Sequence, residues 1–180
     1  MTKAFSFAVL LALAIASTSV EAQTARGRGA AGTTPVAHEK LVALLPAMAG
    51  WTKGEPEGET TKMGPLTMSV GRADYEKGDL SLTVEITDTL ANQMLMGPFM
   101  TMLTVAGTGK TKTESGWAQK VTIGGYPGTE VYDTDDKRAD VMVILDGRFV
   151  VRASISDVPD TAAAKAAVEA VNLKALAALK

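Results

Sequence analysis

Two Met-x-Met pairs, Met94-Leu95-Met96 and Met100-Thr101-Met102, carry the most distinctive side-chain chemistry in this chain. Thioethers are soft ligands that suit Cu(I); they also fill irregular cores and line adaptable binding surfaces. On a helix, residues two apart point about 200° from one another, so neither pair closes on one ion unless the helix unwinds. Met96 and Met100 lie on neighbouring helical rows, with Pro98 between them. The spacing favours packing or recognition, and a periplasmic Cu(I)-binding carrier stands as the alternative. The expected binding surface is Met96, Phe99 and Met100, grouped around Gly97-Pro98 and offered to a protein or an apolar small molecule.

Other chemistries find less support. Nucleophilic hydrolysis needs a serine or cysteine beside an oriented base. The chain has no cysteine, one histidine (His38) and no Gly-x-Ser-x-Gly elbow. A cell-envelope hydrolase therefore rests on a serine–lysine pair that no local pattern marks. Asp133, Asp135, Asp136 and Asp140 form the densest acidic cluster, with Lys137 and Arg138 inside it. Calcium loops also require a glycine at the sharp turn and a closing glutamate, and this stretch supplies neither. It reads as a solvated connection between strands. Gly124-Gly125 precedes no helix bearing Lys-Ser/Thr, which makes it a turn and not a phosphate cradle. Trp51 and Trp117 both follow a glycine at a strand start and are expected to seal the rim of the core. No catalytic residue, metal site or cofactor is assigned.

The start of the chain sets where any of this would operate. Lys3, the apolar run Ala4–Ala16 and Val20-Glu21-Ala22 have the layout of a secretory signal peptide over residues 1–22. The apolar run is too short for a comfortable span, so no integral membrane segment is expected once it is cleaved. The protein is read as exported, to the periplasm or beyond. Losing the leader removes one base (Lys3) and one acid (Glu21) and leaves the net charge at −2. That balance argues against nucleic acid, which requires a concentrated basic face. With no cysteine, stability must come from packing alone.

The positioning elements follow from periodicity. Residues 23–34, rich in Gly, Ala and Arg, form a flexible linker, and 35–180 a single α+β domain. Asp79–Thr87 alternates Leu80, Leu82, Val84 and Ile86 with polar residues, the pattern of a strand with one buried face. Leu66–Glu76 pairs with it through Lys77-Gly78. Asp146-Gly147 matches a two-residue hairpin turn, which pairs Leu145 with Arg148 and Ile144 with Phe149. One face of that hairpin then carries Met142, Ile144, Phe149, Val151, Ala153 and Ile155, and cover on both faces makes it central.

Three helices complete the reading. Thr34-Pro35 opens the first, with Ala37, Leu41, Leu44, Leu45 and Met48 on its buried stripe. The second, Leu90–Ala106, is kinked at Gly97-Pro98, and Asp88 or Thr89 caps it. The third is alanine-rich, interrupted at Asn172, and docks on the second sheet face. The expected fold is an antiparallel sheet of six or seven strands packed by these helices. The expected function is that of a non-enzymatic binding or accessory domain.

Overall fold

The computed structural model describes residues 34–179. The expected leader, and the linker apart from Thr34, lie outside the described residues. Leu82, Val84 and Ile86 are fully buried on one side of their strand, as the alternation requires. The strands are β1 (Thr52–Lys53), β2 (Glu57–Met63), β3 (Leu66–Lys77), β4 (Leu80–Asp88), β5 (Thr111–Lys112), β6 (Gly116–Ile123), β7 (Tyr126–Asp133), β8 (Arg138–Leu145) and β9 (Phe149–Ile155). The helices are α1 (His38–Val42), α2 (Gln93–Val105), α3 (Ala162–Ala170) and α4 (Leu173–Ala177). Every strand pairing is antiparallel, in the order β1-β3-β4-β9-β8-β7-β6-β5, with β2 also on β3.

The described residues thus form a sheet-rich α+β fold with nine strands, not six or seven. The surplus lies where periodicity gives no signal. β1 and β5 are two residues each, and β2 is almost wholly exposed, so it has no apolar face to read.

The β8–β9 hairpin is central, as expected, but its register differs by one residue. Leu145 pairs with Phe149, Ile144 with Val150 and Val143 with Val151. Asp146 and Gly147 both take positive φ and Arg148 N–H donates to Leu145 O at 2.9 Å, so the tight turn forms. Arg148 is then left over as a bulge. Its carbonyl accepts from Thr89 N and Thr89 Oγ1, and its guanidinium is held by Asp88. Because a one-residue slip exchanges the faces, Val141, Val143 and Leu145 join Phe149, Val151, Ala153 and Ile155 in the main core. Met142, Ile144 and Val150 fall on the other side.

That exchange relocates the C-terminal helix. Ala164, Ala167 and Val168 of α3 and Leu173 and Leu176 of α4 pack into the same core as Leu41 and Leu45. The C-terminal helices therefore share the first sheet face with α1, and the second face is left to α2. Asn172 does interrupt the helix, and its side chain caps α4 by accepting from Ala175 N.

The first helix is shorter than expected. Asp88 Oδ2 accepts from Val36 N at 2.8 Å, and the helix begins only at His38, without a side-chain cap. Gly71 lets it approach closely: a Cβ there would lie 2.8 Å from Val42 N.

Beneath α1, Tyr75 is completely buried and donates to Pro46 O at 2.8 Å. Burial pushes its phenol up to about 12. The unfolded chain ionises near pH 10, so the stability from neutral Tyr75 is intact below about pH 10 and lost as pH rises toward 12. Tyr75→Phe should cost about 1 kcal/mol at pH 7 and flatten the alkaline limb of a urea-denaturation series. An unchanged limb would refute this assignment.

Candidate functional site

The second sheet face is organised by what happens after β4. The Asp88 carboxylate is buried and accepts four hydrogen bonds, from Val36 N, Leu90 N, Arg148 Nε and Arg148 Nη2, all between 2.7 and 2.9 Å. The Asp88 carboxylate holds the Arg148 guanidinium above its ordinary pKa. Asp88 thus ties the entry to α1, the β8–β9 turn and the approach to α2 to one point. The chain then passes through Leu90 and Ala91, both at φ near +55°. For side chains larger than glycine this is a costly conformation, held here by the Leu90 N–H bond to Asp88. Asn92, not Asp88 or Thr89, caps α2: its Oδ1 accepts from Met94 N at 2.9 Å and Leu95 N at 3.4 Å.

α2 runs unbroken across Pro98, which forgoes one intrahelical bond. Its thirteen residues include no charged side chain. One side faces the sheet: Met96, 4% exposed, packs on Met142, Ile144 and Val150, with Phe99 and Leu103 partly buried beside it. Of the three residues expected at the surface, Met100 is there at 48% exposure, Phe99 lies between, and Met96 is beneath the helix. The helical repeat explains this: Met96, Phe99 and Leu103 define one stripe, and Met100 sits at its border.

The outward side is apolar as well. Met94 is 74% and Val105 63% exposed, with Met102 and Met100 on the flanks. Thr101 Oγ1 donates to Gly97 O at 3.0 Å, and Thr104 Oγ1 to Met100 O at 2.9 Å. Both hydroxyls are thus folded back on the helix, which leaves their methyl groups to solvent. Each Met-x-Met pair is divided: Met94 points out and Met96 in, while Met100 and Met102 sit on opposite flanks.

Past α2, the second face is a polar mosaic. Arg72, Glu85, Arg152, Met142, Thr129 and Lys120 lie in register across six strands. In the next row, Asp74 accepts from Thr83 Oγ1 at 2.5 Å and from Arg72, interactions that hold its carboxyl below the usual carboxylate range. Asp140 accepts from Arg138 Nε and Arg152 Nε, each at 2.9 Å. Thr129 differs from its neighbours. It is 1% exposed, and its hydroxyl has no partner among the described residues.

The other sequence candidates have structural engagements. His38 Nδ1 lies 3.3 Å from Thr60 Oγ1, which is 2.7 Å from Ser69 Oγ, a stitch between α1 and the β2–β3 hairpin. The Nε2 of His38 lies 3.4 Å from a carboxylate oxygen of the exposed Glu39. Asp133 accepts from Asp135 N, Asp136 N and Ser115 Oγ; the Ser115 bond foremost holds its carboxyl low. Trp51 and Trp117 stand at the core rim, with Lys77 and Lys110 over their rings. Glu130 is buried against Gln119 Nε2 at 2.7 Å and Lys165 Nζ at 3.1 Å, at the start of α3. A surface depression of about 200 Å³ at the α3–α4 junction has Glu169 and Lys174 among its lining residues. Among the described residues, no three His, Asp or Glu side chains converge as a metal site would require, and no helix is long and apolar enough to cross a membrane.

Sequence reasoning missed the outward side of α2. A signal was present, since residues 89–109 contain no charge at all, a run that ordinary surface helices do not show. In comparisons with known proteins, no family model, curated protein or solved structure matches this chain.

Proposed function

We propose that this chain is an exported, non-enzymatic binding module whose docking element is α2, and that its partner is a protein carrying an apolar groove. The observation behind this reading is a helix without a charged side chain, with one side seated on the sheet and Met94, Met100, Met102 and Val105 presented outward. Such a face is stable in water only at a cost that burial against a partner removes. Methionines adapt to the shape they meet. The ground beside the helix alternates Arg72, Arg138 and Arg152 with Asp74, Glu85 and Asp140. That neutral mosaic suits the polar rim of a protein interface and gives no purchase to an anionic bilayer.

A photo-crosslinking side chain at Met94 tests the reading in the intact cell envelope. One discrete protein adduct is expected there, absent when the probe replaces the exposed Lys174 of α4 on the other sheet face and lost on Val105→Glu. That variant should keep wild-type stability within about 0.5 kcal/mol, because Val105 makes no core contact. Equal labelling from both probe positions, or an adduct that survives Val105→Glu, would overturn the proposal. Turnover of any ester, amide or glycoside by the purified protein would overturn its non-enzymatic part.

A further inference from the structure

We infer that the layer between α2 and the second sheet face is a binding slot for a single-chain amphiphile, a medium-chain fatty acid or its like. The slot lies on the side of α2 opposite the proposed docking face and does not depend on it. Three observations converge there. Met96, Phe99 and Leu103 from the helix meet Met142, Ile144 and Val150 from the sheet in a cluster separate from the main core. That layer is wholly apolar and has two flexible thioethers, so it can re-pack around a hydrocarbon chain. Thr129 then contributes a hydroxyl, 1% exposed and without a partner among the described residues, on the same sheet face and in register with Met142. A buried hydroxyl left unpaired is destabilising, and a ligand oxygen that accepts a hydrogen bond from it removes that cost.

The polar end of the ligand follows from the register. Lys120 is the partner of Thr129 on β6 and shares its face. A carboxylate accepting from Thr129 Oγ1 would have the Lys120 ammonium one strand away, while its chain ran under α2. The helix is about 20 Å long at 1.5 Å per residue, enough to cover a tail of about eight to twelve carbons. Entry comes from lifting α2 at Leu90-Ala91, where two side-chain-bearing residues already hold positive φ. Relaxing that pair offsets part of the cost of opening.

Titration of the full chain with decanoate, followed by amide chemical shifts, tests the slot. Shifts are expected at Thr129, Met142 and Ile144, with saturable binding. Thr129→Val should weaken decanoate about three- to tenfold, and Thr129→Ser should restore it. Lys120→Ala should weaken decanoate more than decanol. Thr129→Val is isosteric and removes the unpaired hydroxyl, so it should melt at or above the wild-type temperature. Thr129→Ser loses one buried methyl and should melt slightly below it. A cooperative melt in both shows that the fold is kept. Unaltered affinity in Thr129→Val overturns the inference. So does decanoate binding that Val105→Glu abolishes, since that places the ligand on the outward face. Failure of the photo-crosslink at Met94 leaves the slot untouched, and an empty decanoate titration leaves the docking reading untouched.

Discussion

Asp88→Ala is expected to destabilise the domain by about 3–5 kcal/mol, among the largest single losses available to it. The substitution strands the Arg148 guanidinium, only 14% of whose side chain reaches solvent, and removes the acceptor for the N–H groups of Val36 and Leu90. Three segments lose their common tie together: the lead into α1, the β8–β9 turn and the approach to α2. Urea denaturation followed by the fluorescence of Trp51 and Trp117 measures it. Asp88→Asn keeps an acceptor and much of the shape, so a smaller loss of about 1–3 kcal/mol is expected. A loss under about 1 kcal/mol in Asp88→Ala would mean the carboxylate is not the tie its geometry suggests.

Met96→Ser should cost about 2–4 kcal/mol, because it removes the central side chain of the small cluster and puts a hydroxyl among Met142, Ile144 and Val150. Met94→Ser, two residues earlier, should fall within about 0.5 kcal/mol of wild type. The contrast measures how α2 is seated. Hydrogen exchange refines it: in Met96→Ser the amides of α2 should lose protection first, while Val141, Val143 and Val151, fully buried in the main core, keep theirs. Equal losses from the two serine variants would show that the helix has no fixed inner side.

Much of this architecture was legible from period and turn chemistry. The alternation of Leu82, Val84 and Ile86 and the Asp146-Gly147 turn formed where the sequence placed them. The β3–β4 turn lies one residue further on than expected, at Gly78-Asp79, with Lys77 paired to Leu80 as the last residue of β3. What escaped were long-range captures. Arg148 is pulled out of the ladder by Asp88, sixty positions away, and a two-residue turn rule has no knowledge of that partner. The slip it causes exchanged the faces of β8 and so moved the C-terminal helices to the first face. Asp88 also pre-empted the start of α1 by binding Val36 N, where Thr34-Pro35 offered a good local cap. For the candidate site, the Met-rich helix was visible, yet which methionines face out depended on where the helix starts. Its start moved from Leu90 to Gln93 because Leu90 and Ala91 adopt left-handed backbone.

The borders of the sheet bear on whether one copy of this protein can add to another. One border ends in the two-residue β5 with its Lys112, the other in the two-residue β1 and in β2, whose Glu57, Glu59 and Lys62 stand in solvent. Two molecules meeting border to border find either too few free amides to zip together or charges that resist desolvation. A long, hydrogen-bond-hungry layer in a cysteine-free chain thus has borders that disfavour edge-to-edge growth.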